Sequence, residues 1–129
     1  MTHVLVADDD PDIRKLVVMK LRSAGHEVTE AADGSAALEL ARTRGPDLAL
    51  LDLMMPGLTG LEVCEHLKAD PATSGVPVVL LTARAQERDV EHGIAAGADA
   101  YLSKPFSPRQ LLEELAPFLD DQPRATPEA

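Results

Sequence analysis

Five short strand-like runs alternate with five stretches of helical periodicity along the 129-residue chain. No other feature restricts the fold as much. The runs are Val4–Ala7, the weaker and more polar Glu27–Ala31, Leu48–Asp52, Val76–Leu81 and Ala100–Ser103, each of strand length. Strands that alternate with helices predict a parallel sheet covered on both faces, joined by right-handed crossovers. Leu48-Ala49-Leu50-Leu51 is apolar without alternation, so it reads as a strand buried on both sides.

Turn and cap residues punctuate the pattern. Asp10 followed by Pro11 reads as a helix cap and first helical residue. That helix is expected to run to about Ala24 and stop at Gly25, with Ile13, Leu16, Val17 and Leu21 inward. A second helix is expected over about 35–44, closed by Gly45-Pro46. Thr59-Gly60-Leu61-Glu62 predicts a capping box and a third helix from about Gly60 with Leu61, Cys64 and Leu67 inward. A fourth is expected over about 86–96, stopped by Gly97, and Ser107–Gln110 opens a fifth with a second capping box. Pro117 is expected to kink or fray that last helix. One domain over 1–119 and a flexible tail or linker start over 120–129 complete the reading.

Twelve basic and 22 acidic residues leave a formal charge of −10. That argues against direct nucleic-acid binding by this domain and against anionic membranes. Cys64 is the only cysteine, no apolar run reaches membrane-span length, and no signal peptide is visible, so a cytoplasmic protein is expected.

The polar residues fall in a pattern. The first run ends at Asp8 and Asp9, the third at Asp52, the fourth at Thr82 and the fifth at Lys104. In open α/β sheets ligands bind outside the carboxyl ends of the strands, where the strand order reverses. With the order 2-1-3-4-5, Asp8, Asp9 and Asp52 converge beside Thr82 and Lys104. Taken alone, Asp52 is either a satisfied acid at a strand end or part of a site. Two unit charges ~4 Å apart repel by roughly 4 kcal/mol at an effective dielectric of 20, so three clustered carboxylates call for a cation. Few protein oxygens with room for water suit Mg²⁺. Three carboxylates, one Mg²⁺ and Lys104 sum to zero charge, a site open to a phosphoryl group.

The motifs Val-Leu-Val-Ala-Asp8-Asp9-Asp10-Pro11, Leu-Leu-Asp52-Leu-Met-Met-Pro56-Gly57, Leu-Thr82-Ala83 and Tyr101-Leu-Ser-Lys104-Pro105-Phe106 span most of the chain. Together they resemble the receiver domain of bacterial two-component response regulators. The resemblance implies a flavodoxin-like (βα)5 doubly wound α/β sandwich with strand order 2-1-3-4-5. It implies that Asp52 is phosphorylated from a phosphohistidine on a sensor histidine kinase or phosphotransfer protein. It implies Mg²⁺ held by Asp8, Asp9, Asp52 and the backbone carbonyl of Met54. Lys104 then pairs with the phosphoryl oxygens, Thr82 turns its hydroxyl to them, and Tyr101 changes rotamer. Lys104–Pro105 is expected to be a cis peptide. The signal is expected on the surface of the fourth helix, fifth strand and fifth helix, read by a downstream output domain or protein. The only catalysis implied is the domain's own phosphorylation and slow dephosphorylation.

Each residue also has a plainer reading. The Asp8–Asp10 cluster is a charged helix cap, Lys104 a solvated lysine, Thr82 a strand end, and Tyr101 core packing. Cys64 reads as inert, Met54 and Met55 as loop packing, and His3, His26, His66 and His92 as surface or packing residues. One rival function is a haloacid-dehalogenase-like phosphatase with Asp8 as nucleophile and Asp10 as acid. Another is a flavodoxin-like cofactor carrier, which needs a Ser/Thr/Gly-rich loop where this chain has acids. A receiver used only as a scaffold is a third. Winged-helix response regulators lead one to expect an acid at position 100 and a base near 114. Here Ala100 and Glu114 stand there, so a monomer or weak phosphorylation-dependent dimer is expected.

Overall fold

A computed structural model describes residues 2–82, 95–104 and 107–119. Strands β1 (His3–Ala7), β2 (Glu27–Ala31), β3 (Leu48–Asp52), β4 (Val78–Thr82) and β5 (Ala100–Ser103) form one sheet. All pair in parallel, in the order β2-β1-β3-β4-β5. Helices α1 (Pro11–Ser23), α2 (Gly34–Arg44) and α3 (Gly60–Ala69) follow the first three strands, and a C-terminal helix spans Pro108–Leu119.

Side-chain alternation along each strand sorts the core into two layers. Val4, Val6, Leu48, Leu50, Val79, Leu81 and Leu102 face α1 and the C-terminal helix, meeting Val17, Val18, Leu21, Leu111 and Leu115. Leu5, Ala7, Ala49, Leu51, Val78 and Leu80 face α2 and α3, meeting Ala37, Leu38, Val63, Cys64 and Leu67. β3 and β4 are buried along their whole length, which is why neither alternates in sequence.

The caps form as the sequence predicts. Asp10 accepts from the Asp12 and Ile13 amides, and Gly45 closes α2 in the left-handed region at φ 57°. Thr59 and Glu62 exchange the two bonds of the capping box, as do Ser107 and Gln110. One boundary and one expected fraying differ from what is observed. β4 starts at Val78 rather than Val76, because the Val76 amide turns back to the Thr73 carbonyl and Pro77 has no amide to give. The last helix runs past Pro117 to Leu119, which is buried and whose carbonyl accepts the Thr2 hydroxyl at 2.8 Å. The expected fourth helix, His92, the Lys104–Pro105 bond and the 120–129 tail lie outside the described residues, Ala95–Ala96 at the end of that helix excepted. No helix among the described residues is long and apolar enough to cross a membrane.

Candidate metal and phosphoryl site

Register explains why acids 44 positions apart meet. Ala7 pairs with Leu51, so the next residues, Asp8 and Asp52, leave the sheet side by side. Both continue the parity of Val6 and Leu50. Lys104, two beyond Leu102, continues the same parity from β5. Thr82 follows Val78 and Leu80, and so takes the opposite face, as does Tyr101 opposite Leu80.

Asp8, Asp9 and Asp52 each bring a carboxylate oxygen within 4.8 Å of the others. Asp8 is fully buried, Asp52 buried and Asp9 exposed, so the cluster opens to solvent on one side. Lys104 Nζ lies 2.9 Å from Asp8 Oδ2 and 3.4 Å from Asp52 Oδ1. Its backbone amide donates to the Thr82 carbonyl at 2.7 Å, which ties the lysine to the end of β4. The Met54 amide faces Asp52 Oδ1 at 3.4 Å. The α3 terminus is pressed against β3: a Cβ on Gly60 would collide with the Asp52 carbonyl.

Burial, then the negative charge of Asp8, push the Asp52 carboxyl up to about 7, against the pull of Lys104. Burial alone would lower Lys104, but the Asp8 hydrogen bond and the charges of Asp52 and Asp8 outweigh it and raise it, so the lysine stays charged. With all carboxylates ionised the cluster carries −3 + 1 = −2. It is a hard, oxygen-only donor set with surplus negative charge and an open side, which fits a small divalent cation. Asp8, Asp9, Asp52 and Lys104 come together as expected, while Thr82 ends β4 at the same carboxyl edge with its side chain on the other face.

Other expectations divide. Met55 packs into the core, but Met54 is 70% exposed and is not loop packing. Cys64 is buried with its thiol pushed up to about 11 by burial, in keeping with an inert residue. The phosphatase rival loses its parts, because Asp8 has no exposed oxygen and its carboxylate accepts from the Asp10 amide and Lys104, while Asp10 is the α1 cap. Arg14 was not anticipated: its Nη1 donates to the Asp8 carbonyl at 2.8 Å. The available signal was a base in the first turns of a helix, where the dipole disfavours it unless a local acceptor holds it.

The family model for the response regulator receiver domain matches residues 4–116. The chain belongs to that family. Among curated relatives, the DNA-binding response regulator MtrA of Mycolicibacterium smegmatis is 44% identical over 94% of this chain and 53% of its own length. The chain thus spans about half the length of the curated relatives it matches. Among solved structures, chemotaxis protein CheY4 of Vibrio cholerae superposes with a TM-score of 0.88 at 36% identity, covering 92% of this chain and 99% of that one. The receiver domain of sensor histidine kinase PA1611 from Pseudomonas aeruginosa, solved with magnesium coordinated in its active-site cleft, gives 0.83 at 32% identity, covering 91% and 96%. The protein is therefore a receiver domain of two-component signalling, with the flavodoxin-like architecture its residues predict.

Proposed function

We propose that this receiver takes a phosphoryl group onto Asp52 and answers with a change of its surface. One observation carries the reading: buried Asp52 stands in a cluster whose charge is unbalanced, beside a lysine that it shares with Asp8. Asp8, Asp9, Asp52 and the Met54 carbonyl would hold Mg²⁺. The bound ion would neutralise the carboxylates and shield phosphoryl oxygens from them. The donor is a phosphohistidine on a sensor histidine kinase or phosphotransfer protein. The N–P bond breaks, an Asp52 O–P bond forms, and the imidazole leaves neutral or picks up a proton from solvent. Lys104 stabilises the transferred oxygens as their charge develops.

Thr82 supplies its hydroxyl to the phosphoryl group, and Tyr101, on the same sheet face, moves when Thr82 does. The new charge thereby biases two arrangements of the surface that includes β5 and the C-terminal helix. Catalysis extends to the domain's own phosphorylation and slow dephosphorylation. Loss is slow because Met54 offers no polar group to orient water. The domain, over 1–119, works in the cytoplasm as a monomer or weak phosphorylation-dependent dimer, through a downstream output domain or protein. Ala100 and Glu114 support that state, since neither can form the dimer ion pairs expected of winged-helix regulators.

The test is incubation with acetyl phosphate and Mg²⁺ followed by intact-mass measurement. The parent gains one phosphoryl group and Asp52→Asn gains none. A label retained in Asp52→Asn would overturn the assignment.

A further inference from the structure

Beyond its side-chain contact with the Asp52 carboxyl, the structure gives Asp9 little to hold it. Of the three acids it is the exposed one, so burial does not fix it. Its backbone position is set by the peptide it shares with Asp8. The carbonyl of that peptide accepts the Arg14 Nη1 bond at 2.8 Å. On the other side, the Asp8 amide donates to the Ala31 carbonyl at 3.2 Å. The backbone at the tip of β1 is thus pinned to β2 through its amide and to α1 through its carbonyl.

The guanidinium is itself anchored. Arg14 Nε donates to Glu30 Oε1 of β2 at 3.3 Å, and its side chain is only 21% exposed. Arg14 therefore touches none of the carboxylates of the cluster, yet spans the three elements around it. A guanidinium suits this because its donors are fixed in a plane and serve two acceptors at once.

We propose that Arg14 is a positioning residue of the metal site, setting the Asp8–Asp9 peptide so that the exposed Asp9 carboxylate points into the cluster. The proposal rests on the reading of Asp8, Asp9 and Asp52 as a Mg²⁺ site. Groups that orient metal ligands without touching the metal typically cost ~10-fold or more in affinity when removed.

Calorimetric titration with Mg²⁺ tests it, on the parent, Arg14→Met, Arg14→Lys and Asp9→Asn, each first shown to be folded by a urea melt in EDTA. Arg14→Met weakens Mg²⁺ binding ~10-fold. Arg14→Lys, which keeps one donor for the carbonyl, recovers most of the loss. Asp9→Asn binds more weakly still, since it removes a ligand. A folded Arg14→Met with parental affinity overturns the proposal, and so does a Lys variant as weak as the Met variant. Should Arg14→Met not fold, Glu30→Ala replaces it: removing the acceptor of the Arg14 Nε bond weakens Mg²⁺ by a smaller factor, and parental affinity there overturns the proposal. A parent that binds no Mg²⁺ overturns the site itself, whereas strong parental binding that Arg14→Met leaves intact overturns only the role of Arg14.

Discussion

Two lysines reach carboxylates at opposite edges of the same sheet, and they are built differently. At the amino edge of β4 and β5, Lys68 Nζ donates to the Val76 carbonyl at 2.8 Å, to Asp99 Oδ2 at 3.2 Å and to the Ser74 carbonyl at 3.4 Å. Asp99 Oδ2 also takes the Val78 amide at 2.8 Å, and the Asp99 amide returns a bond to the Val78 carbonyl. One base meets one acid, and all three ammonium donors are used. At the carboxyl edge, Lys104 faces Asp8 and Asp52 with Asp9 nearby, and one positive charge cannot balance three negative ones. The first arrangement is closed and holds β4 and β5 in register. The second is left short of positive charge, which a cation and a phosphoryl group together complete.

The comparison breaks most sharply in rate. Lys104→Met should slow phosphorylation by acetyl phosphate roughly 100-fold, the usual loss when one donor to a developing oxyanion is removed. Lys68→Met should leave that rate nearly unchanged. Initial rates of mass gain at saturating Mg²⁺ measure both. Equal rates in the two variants would erase the distinction drawn here.

The next effect is on stability and falls at the other edge. Asp99→Ala strands the Val78 amide and leaves Lys68 without its counter-charge. Hydrogen bonds to charged groups are worth ~1.5–3 kcal/mol, and Asp99 is partly exposed, so a loss of about 2 kcal/mol is expected in urea melts. Phosphorylation by the folded fraction should be unaffected.

The two edges were not equally legible in the sequence. Asp8, Asp9, Asp52, Thr82 and Lys104 all follow apolar runs, and the strand order that aligns them follows from alternating strands and helices. A charge set against an apolar run is visible without coordinates. Lys68 sits in a polar stretch where charges are ordinary, and Asp99 precedes its apolar run, at the edge of the sheet where no ligand is expected, so neither was marked. The start of β4 was misplaced for a related reason, since Val76 is β-branched yet is held by a turn at Thr73 that local propensity does not register. Pro117 misled because propensity counts a lost amide bond but not the burial of Leu119 two residues on. Arg14 escaped because its partner is a backbone carbonyl, which no sequence displays.

The smallest effect opposes the Asp99 result in sign and depends on pH. Burial and Asp8 push Asp52 from 3.8 up to about 7 in the metal-free fold. Between those values the folded state binds a proton that the unfolded state has released. Stability from this group is therefore present below about 4, is lost as pH rises toward 7, and stays lost above it. Asp52→Asn carries no such charge. In EDTA at pH 8 the variant should be more stable than the parent by about 1 kcal/mol, only a fraction of the full linkage value because the cleft opens to screening solvent at Asp9. The difference should shrink toward zero near pH 4, and at pH 8 saturating Mg²⁺ should reverse it, because the ion stabilises the parent in proportion to its affinity. Melts at both pH values, with and without the ion, read all three signs. A variant less stable than the parent in EDTA at pH 8 would mean that the acids of the carboxyl edge are as well satisfied as Asp99.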